Sequence, residues 1–199
     1  LFIEFHGSAS AVQEHRSVVE EFGSAFGGGG LDLSTDSSEQ RRLWKARHTA
    51  LPAARALIPG AVTWSTDVCV PISRLAGAIR RARAAIDAAG LVAPILGHVG
   101  DGNYHVFFVL RPDDAQGWAR AAQVNEELVA HALSVGGTCT GEHGIGIGKR
   151  DALLREHGEG AVDLMRRLKR AVDPNGCMNP TKLFTDFSAG ANKATLQLD

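Results

Sequence analysis

Two histidines frame an Asp-Gly pair in the stretch GHVGDGNYH, where His98 and His105 are seven residues apart. Asp-Gly is a strong signal for a two-residue type I′ hairpin turn. A turn at Asp101 and Gly102 places His98 directly opposite His105, with Cβ atoms about 4.5–5.5 Å apart on one face of a sheet. Two imidazoles so placed can share one divalent metal ion, although the pattern also fits two structural histidines.

A second stretch, GTCTGEHGIG, surrounds the pair Glu142-His143 with glycines, which let a backbone approach a ligand closely. A flexible loop has the same composition, so that alternative stays open. A Walker-type phosphate loop is disfavoured, because it needs glycine where His143 stands and serine or threonine where Arg150 stands. The glycines are Gly141, Gly144, Gly146 and Gly148.

The two stretches together supply His98, His105 and Glu142 as a candidate ligand set. Two histidines and one carboxylate leave coordination positions open, which is typical of catalytic rather than structural metal sites. Nitrogen and oxygen donors of this kind suit both zinc and manganese. His143 would then lie beside the metal, free to move a proton. The hypothesis requires the loop to reach the hairpin.

A third stretch, LWKARHTALPAA, places Trp44 and Arg47 as neighbours on one predicted helix. A guanidinium can bind a substrate carboxylate through two parallel hydrogen bonds. A solvated surface arginine is the competing interpretation, and the residues alone leave both open.

Hydrophobic periodicity predicts the elements that must position these residues. Strands are predicted at 1–5, 62–70, 92–99 and 104–110, and helices at 10–26, 39–57 with a kink at Pro52, 73–89, 115–135 and 161–172. The tight hairpin indicates antiparallel pairing. The predicted fold class is therefore α+β, an antiparallel sheet with helices packed mainly on one face.

The composition excludes several classes of function. The 199 residues carry a net charge of −1, which leaves no electrostatic footprint for nucleic acid or an anionic membrane. No apolar run approaches the roughly 20 residues of a membrane span. Three scattered cysteines, in no CxxC pair, indicate reduced thiols. We expect a location in the cytoplasm or at the periphery of an energy-transducing membrane, and the sequence does not decide between them.

The motifs together resemble the C-terminal (cap) domain of the FAD-linked oxidases of the vanillyl-alcohol oxidase superfamily. The resemblance extends to about Leu183 and is carried by LFIEFHGS, LWKARH, STDVCVPISRL, GHVGDGNYH, GTCTGEHGIGIGKR and LKRAVDPNGCMNP. It implies a substrate- and metal-binding domain at 1–187, and FAD bound mainly by a separate N-terminal domain. The residues after Phe187 are predicted to form a loose tail at 188–199. Because the chain starts without Met in a strand-like run, we expect a fragment from which that domain is missing.

The resemblance also implies roles for single residues. The two hairpin histidines and the loop glutamate correspond to ligands of zinc or manganese. His143 corresponds to the catalytic base, Arg47 to a residue that binds the substrate carboxylate, and Asn179 to a residue near the flavin. Ser65 stands where the members that oxidise 2-hydroxyglutarate carry a lysine for the second carboxylate, which favours a monocarboxylate. Thr181 stands where the family often has glycine.

The activity that the resemblance implies is oxidation of a D-2-hydroxy acid, in the first place D-lactate to pyruvate, with hydride transfer to FAD. Glycolate and D-2-hydroxyglutarate are the alternative substrates within the family, and a stand-alone, non-catalytic metal-binding module is the alternative from another class. Expected partners are the hydroxy acid, the N-terminal FAD domain and an electron acceptor such as a cytochrome or quinone. A homo-oligomer is a further expectation. Without FAD the chain alone is expected to be inactive.

Overall fold

The computed structural model describes residues 1–186, so residue 187 and the tail predicted at 188–199 lie outside the described residues. The described part of the chain divides into two compact units, Leu1–Ala53 and a second unit that begins at Ala54. The described helices are α1 (Ala9–Ala25), α2 (Ser37–His48), α3 (Ala50–Arg55), α4 (Ile72–Ala88), α5 (Ala115–Ser134) and α6 (Arg150–Val172). The described strands are β1 (Val62–Ser65), β2 (Val68–Cys69), β3 (Ile95–His98) and β4 (Asn103–Leu110).

The first unit contains two helices that begin at side-chain caps. Ser8 caps α1 and Asp36 caps α2, in each case through an oxygen that accepts a hydrogen bond from a first-turn N–H group. Residues 1–6 are irregular, so the strand predicted at 1–5 is wrong. Alternating side chains are a weak signal over so few residues, and a strand also needs a neighbour with which to pair.

The long helix predicted at 39–57 is a pair of helices, because α2 ends at His48 and α3 begins at Ala50. Pro52 explains the break, since its ring lacks an N–H donor and crowds the carbonyl four residues earlier, which belongs to His48. The predicted kink is therefore found as an interruption at Thr49.

The sheet of the second unit is built around β4, with which β1, β2 and β3 all pair antiparallel. β1 and β2 follow one register along β4, so the strand predicted at 62–70 is interrupted only at Thr66 and Asp67. Asp67 is one of few buried charged residues of the described chain, with 2% of its surface exposed. At the interruption the Thr66 N–H group still donates to the Val106 carbonyl, while the Val106 N–H group donates to the Thr66 hydroxyl instead of a carbonyl.

Both faces of β4 are covered, and all eight of its residues are buried. Alternate side chains of a strand point to opposite faces. One face packs against α4 and α5 in the main hydrophobic core, to which β4 contributes Tyr104, Val106, Phe108 and Leu110. The other face carries His105, and next to it Phe107 and Val109 form a smaller cluster with Ala54 and Ala61. The predicted α+β class, with helices mainly on one face, is confirmed.

The predicted hairpin of β3 and β4 exists in a different register, because His98 lies opposite Asn103 rather than opposite His105. The connection is not a two-residue turn but a 3₁₀ turn at Val99–Asp101, closed by Gly102 at φ +77°. The carbonyl of Gly102 accepts a hydrogen bond from the chain just after β2, a tertiary contact that local turn preferences do not reveal. A shift of two residues keeps both histidines on one face.

α6 is longer than the helix predicted at 161–172, since it begins at Arg150. Gly158, at φ 75° and ψ 167°, marks a kink between its two halves. The first half is rich in charged residues, and glycines at 158 and 160 separate it from the stretch predicted at 161–172, because glycine is a poor helix former.

None of the helices within residues 1–186 combines the length and the apolar character needed to cross a membrane. The three cysteines are free thiols, as their spacing predicted.

Candidate metal centre

Three side chains from the hairpin and the glycine-rich loop converge in the second unit. One ligand atom each from His98, His105 and Glu142 lies within 4.8 Å of the others. The Oε1 atom of Glu142 is 3.0 Å from Nε2 of His105 and 3.5 Å from Nε2 of His98. The structure therefore brings together the three predicted ligands, although each lies on a different element.

His143 joins the same cluster, because its Nε2 atom is 3.3 Å from the same Oε1 of Glu142. Its ring centre lies 5.1 Å from that of His105 in an edge-to-face arrangement. The side chain of His143 is 54% exposed, whereas that of His105 is 5% exposed. His105 thus forms the floor of an open site, and His143 is accessible to a small solute at its rim.

The orientation of His105 is fixed from behind. Its Nδ1 atom lies 3.1 Å from the carbonyl oxygen of Thr66, which can only accept a hydrogen bond. Nδ1 therefore donates to this carbonyl, and Nε2 is the ring nitrogen that faces Glu142. A histidine held by its second nitrogen in this way has the arrangement usual for metal-ligating histidines.

The loop that carries Glu142 and His143 is fastened to the sheet by Asp67. The Oδ2 atom of Asp67 accepts hydrogen bonds from the backbone N–H groups of Gly141, Glu142 and His143, at 2.9, 3.1 and 2.9 Å. The hydroxyl of Thr140 donates to the same oxygen at 2.7 Å. Four successive residues of the loop therefore surround one carboxylate oxygen.

Gly141 has to be glycine for this approach. A Cβ atom at that position would lie 1.8 Å from Nδ2 of Asn103 and 2.9 Å from Oδ1 of Asp67. The loop can reach the sheet only without a side chain there.

The charge of Asp67 is set by opposing effects. Burial acts to raise the pKa of this carboxyl group, but hydrogen bonds from the backbone of His143, the Thr140 hydroxyl and the Asn103 amide hold the pKa well below its usual range. The ammonium group of Lys149 donates to the backbone carbonyl of Asp67 at 2.8 Å. Asp67 is consequently a carboxylate at any physiological pH.

The remaining predicted site residues lie elsewhere. Arg47 is half-buried on α2 in the first unit. Ser65 is on β1, opposite Phe107, and its hydroxyl donates to the Thr66 carbonyl. Asn179 lies after α6, exposed, in the left-handed region at φ 47°.

Thr181 lies in the left-handed region at φ 60°, a conformation that glycine adopts more readily than threonine. A surface groove of the first unit is lined by Glu4, Ser37, Gln40, Arg41, Trp44 and His48. Arg47 is not one of these lining residues, so its predicted role in binding the substrate carboxylate stays a prediction. The role predicted for Asn179 stays a prediction as well.

The family model "FAD linked oxidases, C-terminal domain" matches residues 1–183. The chain belongs to this family. The family is FAD-linked, and the resemblance inferred from the motifs is confirmed. The cluster around Glu142 therefore lies within an FAD-oxidase C-terminal domain.

Two relatives illustrate the similarity of this FAD-oxidase C-terminal domain to known enzymes. It is 48% identical over 184 residues to the probable mitochondrial D-lactate dehydrogenase of Danio rerio, covering 92% of this chain and 37% of that protein. It is 39% identical over 184 residues to the mitochondrial D-lactate dehydrogenase (cytochrome) of Arabidopsis thaliana, covering 92% of this chain and 32% of that protein. The chain therefore spans about a third of the length of these relatives.

A solved structure has the same fold. The 4-ethylphenol oxidase from Gulosibacter chungangensis, in its isoeugenol complex, superposes with a TM-score of 0.59 at 17% identity. The superposition covers 90% of this chain and 38% of that one.

Asp67 was not among the site residues predicted from the sequence, although the sequence contains one indication of it. Asp67 interrupts a run of β-branched and apolar residues, and a charged residue in a buried strand needs partners. The identity of those partners, Thr140 to His143, depends on a long-range contact that no local pattern encodes.

Proposed function

We propose that this chain is the substrate- and metal-binding part of an FAD-dependent D-2-hydroxy acid dehydrogenase that oxidises D-lactate to pyruvate. The observation that carries the proposal is the meeting of His98, His105, Glu142 and His143 in one open cluster. The D-lactate dehydrogenase names of its relatives support the substrate.

His98, His105 and Glu142 would hold a divalent metal. The donor set fits, because two imidazole nitrogens and a carboxylate are borderline ligands that suit zinc or manganese. The hydrogen bond from Nδ1 of His105 to the Thr66 carbonyl leaves Nε2 available, which also fits. A metal held there would supply Lewis-acid chemistry, which favours loss of a hydroxyl proton.

His143 is the proposed catalytic base. Its imidazole is half-exposed and its Nε2 atom adjoins the carboxylate of Glu142, so it can reach a substrate held at the ligand cluster. An imidazole is well suited to take the hydroxyl proton near neutral pH. FAD would supply the hydride acceptor, which no amino acid side chain provides.

Arg47 and Asn179 complete the proposal. We assign to Arg47 the binding of the substrate carboxylate and to Asn179 a contact with the flavin, for which its exposed amide is accessible. Ser65 offers a neutral hydroxyl opposite Phe107, and the Phe107 ring is stacked near His105 with centroids 6.4 Å apart. Neutral and aromatic neighbours favour a short apolar acid over a dicarboxylate.

The proposed partners are the FAD-binding region and an electron acceptor such as a cytochrome or quinone. The word "cytochrome" in the name of the Arabidopsis relative supports the first acceptor. The word "mitochondrial" in both names supports the periphery of an energy-transducing membrane as the location. Self-association of the chain remains part of the proposal.

Substrate profiling tests the function. The chain joined to its FAD-binding region should show a higher kcat/KM for D-lactate than for glycolate or D-2-hydroxyglutarate, with a dye as acceptor. A preference for either alternative would assign the chain to a sister enzyme. Absence of turnover with all three, in a flavin-loaded protein, would favour the non-catalytic module.

A further inference from the structure

One buried carboxylate adjoins the candidate metal site without belonging to the ligand set. Asp67 occupies the interruption between β1 and β2, and its side chain is 3% exposed. Ladder pairing with β4 is absent at this point, so the residue forms other contacts instead. Those contacts are with the loop that carries Glu142 and His143 and with the hairpin that carries the two histidines.

The first contact is with the loop. Oδ2 of Asp67 accepts from the backbone N–H groups of Glu142 and His143, the two loop residues whose side chains enter the site. Their Cα positions, and hence the directions of their side chains, follow from this anchor. The glycines that let the loop approach the sheet would otherwise give it much conformational freedom, which an ordered site must remove.

The second contact is with the hairpin. Oδ1 of Asp67 accepts from Nδ2 of Asn103 at 2.7 Å, and Asn103 lies directly opposite His98. The preceding residue, Thr66, accepts from Nδ1 of His105 through its carbonyl oxygen. The pair Thr66-Asp67 therefore connects to both hairpin histidines as well as to the loop.

We propose that Asp67 is a positioning residue, which holds Glu142 and His143 over the hairpin histidines and so assembles the metal site before any ligand binds. The inference rests on the proposed function, since it names the residue that holds the side chains of the same site in position. Ionised acceptors form stronger hydrogen bonds than neutral ones, which suits a carboxylate that accepts from four donors of the loop and from Asn103.

Asp67→Asn is the informative variant. An amide has the same shape, but only one of its two terminal atoms can accept a hydrogen bond. Either the loop or Asn103 therefore meets an N–H donor in place of an acceptor, and the other meets a neutral oxygen, which accepts more weakly than a carboxylate. Partners that orient metal ligands typically contribute 10- to 100-fold in metal affinity. A residue that only stabilises the fold would have no such selective effect.

The chain offers a matched control in Asp173. That carboxylate is 5% exposed and accepts from the backbone N–H groups of Cys177 and Met178 and from Lys169, after α6. Asp173→Asn therefore removes a similar buried, multiply bonded carboxylate outside the cluster. It separates general loss of stability from loss of site geometry.

The experiment titrates the 199-residue chain with Co²⁺, followed by visible absorption, for the unaltered protein, Asp67→Asn and Asp173→Asn. We expect Asp67→Asn to weaken Co²⁺ binding at least tenfold and to change the absorption bands, and Asp173→Asn to leave both within about threefold of the original. Equal affinities and bands for the two variants would overturn the proposal.

A second measurement, amide hydrogen exchange without metal, keeps the two proposals distinguishable. The N–H groups of residues 141–143 should be protected, and Asp67→Asn should remove that protection while Asp173→Asn retains it. Absence of Co²⁺ binding by the unaltered chain would contradict the metal site, and the exchange result would still decide the role of Asp67. Unchanged protection in Asp67→Asn would overturn that role.

Thr140→Val covers the case in which Asp67→Asn does not fold. It removes only the hydroxyl that donates to Oδ2 at 2.7 Å and leaves the carboxylate in place. Faster exchange confined to the loop would support the proposal, and exchange identical to that of the unaltered chain would overturn it.

Discussion

Glu142 and His105 meet with Oε1 and Nε2 only 3.0 Å apart, although one lies in a glycine-rich loop and the other in the central strand of the sheet. The carbonyl of Thr66 holds the His105 ring through a hydrogen bond, and the carboxylate of Asp67 holds the loop. The two halves of the site are thus held by adjacent residues of a single strand interruption.

Replacing the proposed base should affect catalysis without removing the metal. In the chain joined to its FAD-binding region, His143→Ala should lower kcat by roughly 100-fold or more, because general-base catalysis contributes about that much. The metal content should remain that of the unaltered enzyme, since His98, His105 and Glu142 are intact. Steady-state kinetics and elemental analysis check both statements, and a near-normal kcat would remove His143 from the mechanism.

The close approach at Gly141 should be intolerant of a side chain. Gly141→Ala places a Cβ atom 1.8 Å from Nδ2 of Asn103, so the loop must move or the sheet must distort. We expect a loss of about 1–3 kcal/mol in the free energy of unfolding, typical of overpacking, together with weaker metal binding.

Gly160→Ala is the control for that substitution. Gly160 lies in α6 with no atom within 4 Å of an added Cβ. Alanine favours helix by up to about 1 kcal/mol over glycine, so this variant should be as stable as the original or more so. Denaturant unfolding compares the two, and equal losses would refute the steric argument.

Asp67 should make stability depend on pH in a defined direction. Burial acts to raise its pKa, but the hydrogen bonds outweigh burial and hold the folded-state pKa below the ordinary 3.8. A lowered folded-state pKa contributes stability that is complete above the unfolded-state value and is lost as pH falls through the folded-state value.

The difference in unfolding free energy between the original chain and Asp67→Asn should therefore be constant from pH 7 to about pH 5. It should shrink below about pH 4, where the unfolded state takes up the proton. Chemical unfolding in the presence of a chelator measures it. A difference that grows on acidification would contradict the proposed ionised, hydrogen-bonded carboxylate.

The residue at position 65 should influence which acid is oxidised. Ser65→Lys places a cation on β1 opposite Phe107 and should raise kcat/KM for D-2-hydroxyglutarate relative to D-lactate about fivefold, equivalent to about 1 kcal/mol from a partly exposed ion pair. Thr63→Lys, two residues away and opposite Val109, should leave the ratio unchanged. Identical ratios for both variants would remove Ser65 from substrate selection.

The sequence was informative where local patterns determine structure. The Asp-Gly pair indicated a hairpin, and its true register is displaced by two residues, because a bond from the chain after β2 holds the turn. The side-chain period of two preserved the shared face of His98 and His105.

What could not be predicted depends on contacts distant in the chain. The anchoring of the loop by Asp67 joins residues far apart in sequence, and neither composition nor periodicity encodes such a pair. The strand predicted at 1–5 failed for a related reason, since an alternating pattern does not reveal whether a pairing partner exists.

The metal content of the purified chain tests the central claim most directly. Elemental analysis of the 199-residue chain, beside a His98→Ala, His105→Ala double variant, should find about one zinc or manganese per chain in the first and none in the second. Circular dichroism should show that both are folded. Equal metal content in the two proteins, or no binding by the unaltered chain even after incubation with zinc and manganese, would contradict a metal site at this cluster.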